Sequence, residues 1–171
     1  FVADVKNLKL LDWKERGGGG SQVRLELSEN TLCGHISEFA VGRYKKAHFH
    51  GPGAHVIILS GVGYSLMWPQ GQSIKRYDWR PGSLVVPPGN WFHQHFNAGA
   101  EPVRYLALRW GSQKYHQMWG EGKGKVDVDV KLGGNQIEYE DEDPIVSQMF
   151  QEACSKAGVK NLMEKYYKKS A

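Results

Sequence analysis

Apolar and polar residues alternate in short runs through the middle of the chain, and Gly, Pro or Asn separates the runs. Alternation with a period of two is typical of strands that bury one face, and many short strands indicate an antiparallel sandwich or barrel. The predicted strands are 23–27, 35–41, 55–59, 64–68, 83–86, 92–96 and 103–110. WPQGQ at 68–72 and RPGS at 80–83 have the Pro and Gly of tight turns. The pattern predicts an all-β fold.

The start of the chain has a different pattern. Scattered apolar residues over 1–16 suit an arm laid against another surface. RGGGGSQ at 16–22 should then interrupt any regular element, because consecutive glycines are entropically costly to order. It could be a natural flexible loop or an engineered linker.

The end of the chain is predicted to be helical. After an acidic run and Pro144, apolar residues recur every four positions, Phe150 widens the stripe, and Gly158 can end the helix. The recurring residues are Ile145, Met149, Ala153 and Ala157. A second helical piece is predicted over 160–169. These patterns divide the chain into an N-terminal arm with a Gly-rich loop (1–22), a barrel (23–137), and an acidic linker with a helical tail (138–171).

Composition limits the partners. A chain of 171 residues with 40% hydrophobic content is long enough for one substantial core, and the net charge of +4 is modest. The basic and acidic clusters near the C-terminus do not form a nucleic-acid stripe, and no apolar run is long enough to span a membrane. Cys33 and Cys154 are isolated, and the N-terminus lacks the order of a signal peptide. We therefore expect a cytoplasmic protein with reduced thiols that binds neither nucleic acid nor membrane.

Five of the seven histidines lie in two short stretches, HFHGPGAH at 48–55 and WFHQHFN at 91–97. In a strand, His48 and His50 point the same way, as do His93 and His95. The Gly-Pro-Gly segment could bend the chain so that His55 returns to the same point. Burying several imidazoles together is costly when they protonate, and a divalent cation removes that conflict. The spacing therefore predicts a metal site, whereas His35 and His116 are expected to be ordinary surface or core residues.

These stretches resemble the two cupin motifs. GRYKKAHFHGPGAHVIILSG, at 42–61, is similar to the first, a Gly followed after five residues by His-x-His, then a Glu and a Gly. GSLVVPPGNWFHQHFN, at 82–97, is similar to the second, although its spacing is shifted by one residue on either side of Pro87. His55 stands where the family usually has Glu. The resemblance implies a double-stranded β-helix (jelly-roll) barrel with metal ligands at His48, His50 and His93, and at His55 by replacement.

Replacing a carboxylate by an imidazole leaves more positive charge on a divalent ion, which favours an anionic substrate. The resemblance to cupin dioxygenases implies an Fe(II) oxidoreductase acting on a small aromatic or keto/enol acid, with Mn, Ni, Zn or Cu as other possible metals. Two alternatives stay open. One is a non-redox metal-dependent isomerase, lyase or decarboxylase, and the other is a non-catalytic cupin that binds a ligand or metal.

Further residues are candidates for the pocket. His95 could be the ligand in place of His93, a partner of a ligand, a general acid or base, or a plain core residue. Arg104 and Arg109 lie on opposite faces of one predicted strand, so only one can point inward. We favour Arg109 as a substrate clamp, because its face also carries Tyr105, and either arginine could instead form an exposed salt bridge. Asn97 is expected to fix a turn.

The N-terminal arm also suggests how copies of the chain could associate. Apolar arms and open sheet edges often pair neighbouring barrels, so the arm could add a strand to a second copy. We therefore expect a homodimer.

Overall fold

Two antiparallel sheets face each other in the computed structural model, which describes residues 1–51, 53–112, 114–115 and 126–167. The strands are β1 Leu11–Trp13, β2 Gly20–Glu26, β3 Leu32–Phe39, β4 Arg43–Tyr44, β5 His55–Ser60, β6 Gly63–Trp68, β7 Lys75–Trp79, β8 Leu84–Val85, β9 Phe92–Asn97 and β10 Val103–Trp110. One sheet has the order β1-β2-β3-β10-β5-β8, and the other has the order β4-β9-β6-β7. The prediction of a mainly β barrel is confirmed.

A buried apolar cluster fills part of the space between the sheets. Val56 and Ile58 of β5 pack there with Tyr105 and Ala107 of β10, and Trp79 enters from the opposite sheet. Alternate residues of each strand point inward, so the residues between them face outward. The same alternation directs His93 and His95 of β9 into this space.

The helical tail covers the outer face of the four-stranded sheet. Helix α1 spans Pro144–Ala157, begins where Asp143 accepts a hydrogen bond from the Ile145 amide, and ends at Gly158 in the left-handed conformation. Its buried residues are Val146, Phe150 and Cys154. The predicted helix is present, but its apolar stripe is displaced by one position, because the ring of Phe150 selects the face that is buried and leaves Ile145 exposed. The second helix, α2, is short, Glu164–Tyr167.

The Gly-rich stretch is an ordered turn. Gly17, Gly18 and Gly19 all have positive φ, and β2 begins at Gly20. A Cβ on Gly18 would lie 2.4 Å from the carbonyl oxygen of Tyr44, so glycine is needed for close packing as well as for backbone conformation. The expected interruption is therefore only a turn, which joins β1 to β2. Strand β1 pairs with β2 of the same chain.

Strands β1, β4 and β7 were not predicted. Strand β4 has two residues, and β7 carries the sequence KRYDW, of which only Trp79 is buried. Two alternating apolar residues, Tyr77 and Trp79, are too few to mark β7 in the sequence. Among the described residues, no helix has the length and apolar character that a membrane crossing requires.

Candidate metal centre

Three histidines converge in the space between the two sheets. His93 lies on β9, and His48 and His50 lie on the segment that follows β4. One ring nitrogen from each residue can be chosen so that all three lie within 4.8 Å of one another. The ring centroids of His48 and His93 are 4.2 Å apart, and those of His50 and His93 are 4.9 Å apart. The three side chains could therefore hold one metal ion.

Their hydrogen bonds suit metal binding. Nδ1 of His93 lies 3.0 Å from the carbonyl oxygen of Trp91, and Nδ1 of His48 lies 3.4 Å from that of Lys46. Since a carbonyl can only accept, each Nδ1 carries the proton and each Nε2 keeps its lone pair for a metal. Burial lowers the pKa of both imidazoles well below its usual value, and neighbouring positive charges lower it further. Both rings are neutral at neutral pH, which is the form that binds metal.

His55 does not join this group. It begins β5, and its side chain is exposed. Its chain neighbours Ala54 and Val56 are both buried and line the cavity beside the three histidines. Because alternate residues of a strand face opposite sides, the two neighbours occupy the inward side and His55 points outward. Small apolar side chains therefore line the cavity on this side of the three histidines.

His95 lies beside the three histidines, with its ring centroid 5.9 Å from that of His93. Burial lowers its pKa to about 3. Its Nδ1 is 2.8 Å from the hydroxyl of Ser65, which also accepts a hydrogen bond from the indole of Trp79 at 2.9 Å. The hydroxyl hydrogen of Ser65 is then free to be donated to His95, which places the ring proton on Nε2.

The cavity bounded by these residues is small and basic. Its volume is about 40 Å³, and since one water needs about 10–15 Å³ on this scale it holds about three water molecules. Four basic side chains other than histidine line it, with no Asp or Glu among the described lining residues. These basic residues are Arg16, Arg24, Lys45 and Arg109. The cavity is therefore suited to a small anion.

The two arginines of β10 point in opposite directions. Arg109 lines the cavity, as does Tyr105 on the same face. Arg104 points outward, pairs with Glu38 at 2.9 Å and donates to the carbonyl oxygen of Val5, so it ties down the N-terminal arm. Asn97 hydrogen-bonds to the carbonyl oxygens of Phe39 and Glu101, which fits its expected part in a turn.

Sequence reasoning missed several residues of the cavity. Trp13 and Arg16 come from the arm, and Asp127 accepts hydrogen bonds from both. His35 also lines the cavity, with its ring edge-on to Trp13 and Tyr105. The period of β3 could have placed His35 on an inward face, but nothing in the sequence shows that the arm folds back over the barrel. His116 lies outside the described residues.

Comparison with solved structures supports this description. A variant of Bacillus subtilis oxalate decarboxylase superposes with a TM-score of 0.54 at 14% identity, covering 63% of this chain and 29% of the other. The formate complex of Lactobacillus farciminis oxalate decarboxylase gives 0.53 at 17% identity, covering 62% and 32%. Another B. subtilis structure, whose Mn(II) centres were studied, gives 0.50 at 15% identity, covering 54% and 26%.

The chain spans about a third or less of these proteins, and the likeness is one of fold. No family model matches the sequence. No curated protein matches it either. The motifs at 42–61 and 82–97 agree with the two facing sheets and with the histidines on β9 and beyond β4. They also agree with the superposition on cupin-fold enzymes. The chain has the cupin fold.

Proposed function

We propose that this protein is a metal-dependent oxidoreductase that acts on a small anionic organic acid. The observation that carries the proposal is the combination of three converging imidazoles with a cavity lined by basic side chains and by no described carboxylate. A divalent ion held by His48, His50 and His93 keeps its full charge of about +2, so it attracts a carboxylate or enolate strongly. The basic side chains that line the cavity favour binding of the same anion.

The size of the cavity narrows the substrate class. Space for about three water molecules accommodates a short keto or enol acid or a small dicarboxylate. An aromatic ring would need more room. We therefore favour the keto/enol acids over the aromatic acids that the sequence also allowed.

The side chains around the site have separate parts in the proposed reaction. Arg109 and Tyr105 line the cavity and can bind the substrate carboxylate. His95 can donate a hydrogen bond from Nε2 to a substrate oxygen, and its low pKa keeps it neutral during turnover. A redox-active ion, Fe(II) or Mn(II), would supply the activation of oxygen that a dioxygenase requires.

The test is oxygen uptake by protein loaded with Fe(II) or Mn(II) in the presence of short keto acids, oxalate and small diketones. We expect substrate-dependent uptake that is lost in His50→Ala and kept in His55→Ala, which serves as the matched control. Metal-loaded protein that consumes no oxygen with any of these compounds would contradict the proposal.

A second candidate is a non-redox decarboxylase. The superposition on oxalate decarboxylases and the basic cavity favour it, because cationic side chains can hold a dicarboxylate while one carboxylate leaves. Release of carbon dioxide from a small acid without net oxygen consumption would select this candidate. Tight metal and acid binding with no turnover of any kind would instead favour a binding protein.

A further inference from the structure

A lysine lies inside the barrel without a carboxylate partner. Lys45 is 1% exposed, and it forms no salt bridge with any residue that the structure describes. Its Nζ donates to the hydroxyl of Ser37 and to that of Tyr105, the second at 3.2 Å. The Ser37 hydroxyl in turn donates to the carbonyl oxygen of Ser21 at 2.9 Å. These contacts use two N–H groups of the amine.

The surroundings favour the neutral form of this amine. Its Nζ lies 4.9 Å from the ring centroid of Trp13, 5.2 Å from that of Phe39 and 5.0 Å from that of Tyr105. Aromatic faces stabilise an ammonium, but less than the burial of an unpaired charge costs. Burial, reinforced by the nearby guanidinium of Arg16, lowers the pKa of Lys45 well below its usual value. A neutral amine with both hydrogens engaged keeps a lone pair that can react.

Arg16 is close enough for its charge to lower the pKa of this amine, and it has unused donors. One of its terminal nitrogens pairs with Asp127, while Nε and Nη1 are buried and have no hydrogen-bond partner among the described residues. Its guanidinium carbon is 5.0 Å from the centroid of Trp13, the ring that Lys45 also approaches, and both residues line the cavity. Buried donors without partners are uncommon in folded proteins, and a ligand carboxylate would satisfy them.

We propose that Arg16 and Lys45 form a binding site for a small 2-oxo acid, with the carboxylate on Arg16 and the carbonyl carbon joined to Lys45 as an imine. The Nζ lone pair attacks the carbonyl carbon and a C–N bond forms. The carbon–oxygen bond then breaks, and the oxygen leaves as water with the two amine hydrogens, so nothing is oxidised or reduced. The Tyr105 hydroxyl, 3.2 Å from Nζ, is placed to pass a proton to the departing oxygen. The cavity volume limits the acid to two or three carbons.

The site rests on the proposed function only for its ligand class, a small organic acid, and it needs no metal. The experiment uses the full chain, with and without bound metal, incubated with glyoxylate or pyruvate and sodium cyanoborohydride. The hydride reduces any imine to a stable secondary amine, which intact mass and peptide mapping locate. We expect one adduct per chain, on Lys45, in both metal states.

A neutral aldehyde of similar size, acetaldehyde, tests the part of Arg16. We expect it to label Lys45 at least about tenfold more slowly than glyoxylate, since it cannot form the charge-assisted hydrogen bonds to the guanidinium. Lys45→Met should lose the adduct, whereas Lys46→Met, which changes a lysine paired with Glu138, should keep it. Mapping of the unsubstituted chain decides the question even if Lys45→Met fails to fold.

Unlabelled protein, or adducts spread over surface lysines with no preference for Lys45, would overturn the proposal. Its failure is distinct from failure of the proposed function. Labelling of metal-free protein that never turns over an acid would support the Lys45 site and count against the enzyme. Turnover by protein that is never labelled would support the enzyme and count against the Lys45 site.

Discussion

His48 and His93 are joined through their backbones as well as their rings. The amide of each donates to the carbonyl oxygen of the other, at 3.1 and 2.8 Å, and their ring centroids lie 4.2 Å apart. This isolated bridge ties the first histidine segment to β9. The spacing of two proposed ligands is therefore fixed by main-chain hydrogen bonds, which a metal does not have to supply. A site that exists before the metal arrives avoids the cost of ordering it on binding.

The first prediction concerns the ligands. Changing His48, His50 or His93 to Ala should abolish stoichiometric binding of a divalent ion, because each removes one of three nitrogens. His55→Ala should bind as wild type does, since its exposed side chain lies on the other side of β5. Metal content after dialysis, measured by elemental analysis, checks this. Loss of metal in His55→Ala would restore His55 to the ligand set.

The second prediction concerns the proton on His95. If the Ser65 hydroxyl donates to Nδ1, nitrogen NMR of the histidine ring should show the Nε2–H form at neutral pH. Ser65→Ala should lose this preference, keep bound metal, and lower turnover of the substrate about tenfold, the effect of one lost hydrogen bond. Ser73→Ala, at an exposed position, is the matched control. A protonated Nδ1 in the unsubstituted protein would contradict the assignment.

Strand periodicity and two motifs were enough to predict the barrel and the convergence of three histidines. His-x-His spacing placed His48 and His50 together, and the second motif placed His93 beside them, because both signals are local in the sequence. The turn at 80–83 was predicted for the same reason, with Gly82 at positive φ. Local patterns succeed where residues close in sequence determine the conformation.

The basic cavity could not be predicted in this way. Arg16 reaches it because the arm pairs with β2, and Asp127, which accepts a hydrogen bond from Arg16, comes from far along the chain. Lys45 precedes His48 in the first motif but shows no sign in the sequence of being buried among aromatic rings. The outward position of His55 depends on which residue begins β5. These positions are determined by tertiary packing among segments that are distant in sequence.

The third prediction concerns the pair formed by Arg16 and Asp127, whose side chains are 4% and 11% exposed. Asp127→Asn keeps the shape and tolerates the positive φ of 63°, but it leaves the guanidinium buried without its countercharge. We expect a loss of about 3–5 kcal/mol in the free energy of unfolding. Urea denaturation measures it, with the exposed Asp12→Asn as control. A loss below about 1 kcal/mol would mean that the pair behaves like a surface one.

The fourth prediction concerns Glu142, which lies behind the strand that carries His93. Its carboxylate accepts hydrogen bonds from Tyr44 at 2.5 Å and from Gln94 at 2.6 Å, yet burial dominates and raises its pKa to about 7. The folded chain therefore holds this proton more tightly than the unfolded chain, whose carboxyl has a pKa near its ordinary value of 4.5. The resulting stabilisation is complete below pH 4.5 and is lost as the pH rises through about 7.

Glu142→Gln is neutral at every pH and cannot lose stability in this way. It should be less stable than wild type at pH 5, because its amide replaces an acceptor that faces the Gln94 donor. By pH 8 that deficit should shrink by about 2 kcal/mol, since one pKa unit corresponds to about 1.4 kcal/mol and partial exposure weakens the effect. Urea denaturation at the two pH values measures the change, and Glu152→Gln, on the exposed side of α1, should show none.

The comparison with wild type at each pH also cancels the effect of the buried histidines. Their lowered pKa values destabilise the fold in the opposite direction, as the pH falls below about 6.5. An equal deficit at both pH values would mean that Glu142 is ionised in the folded protein and that its two hydrogen bonds outweigh its burial.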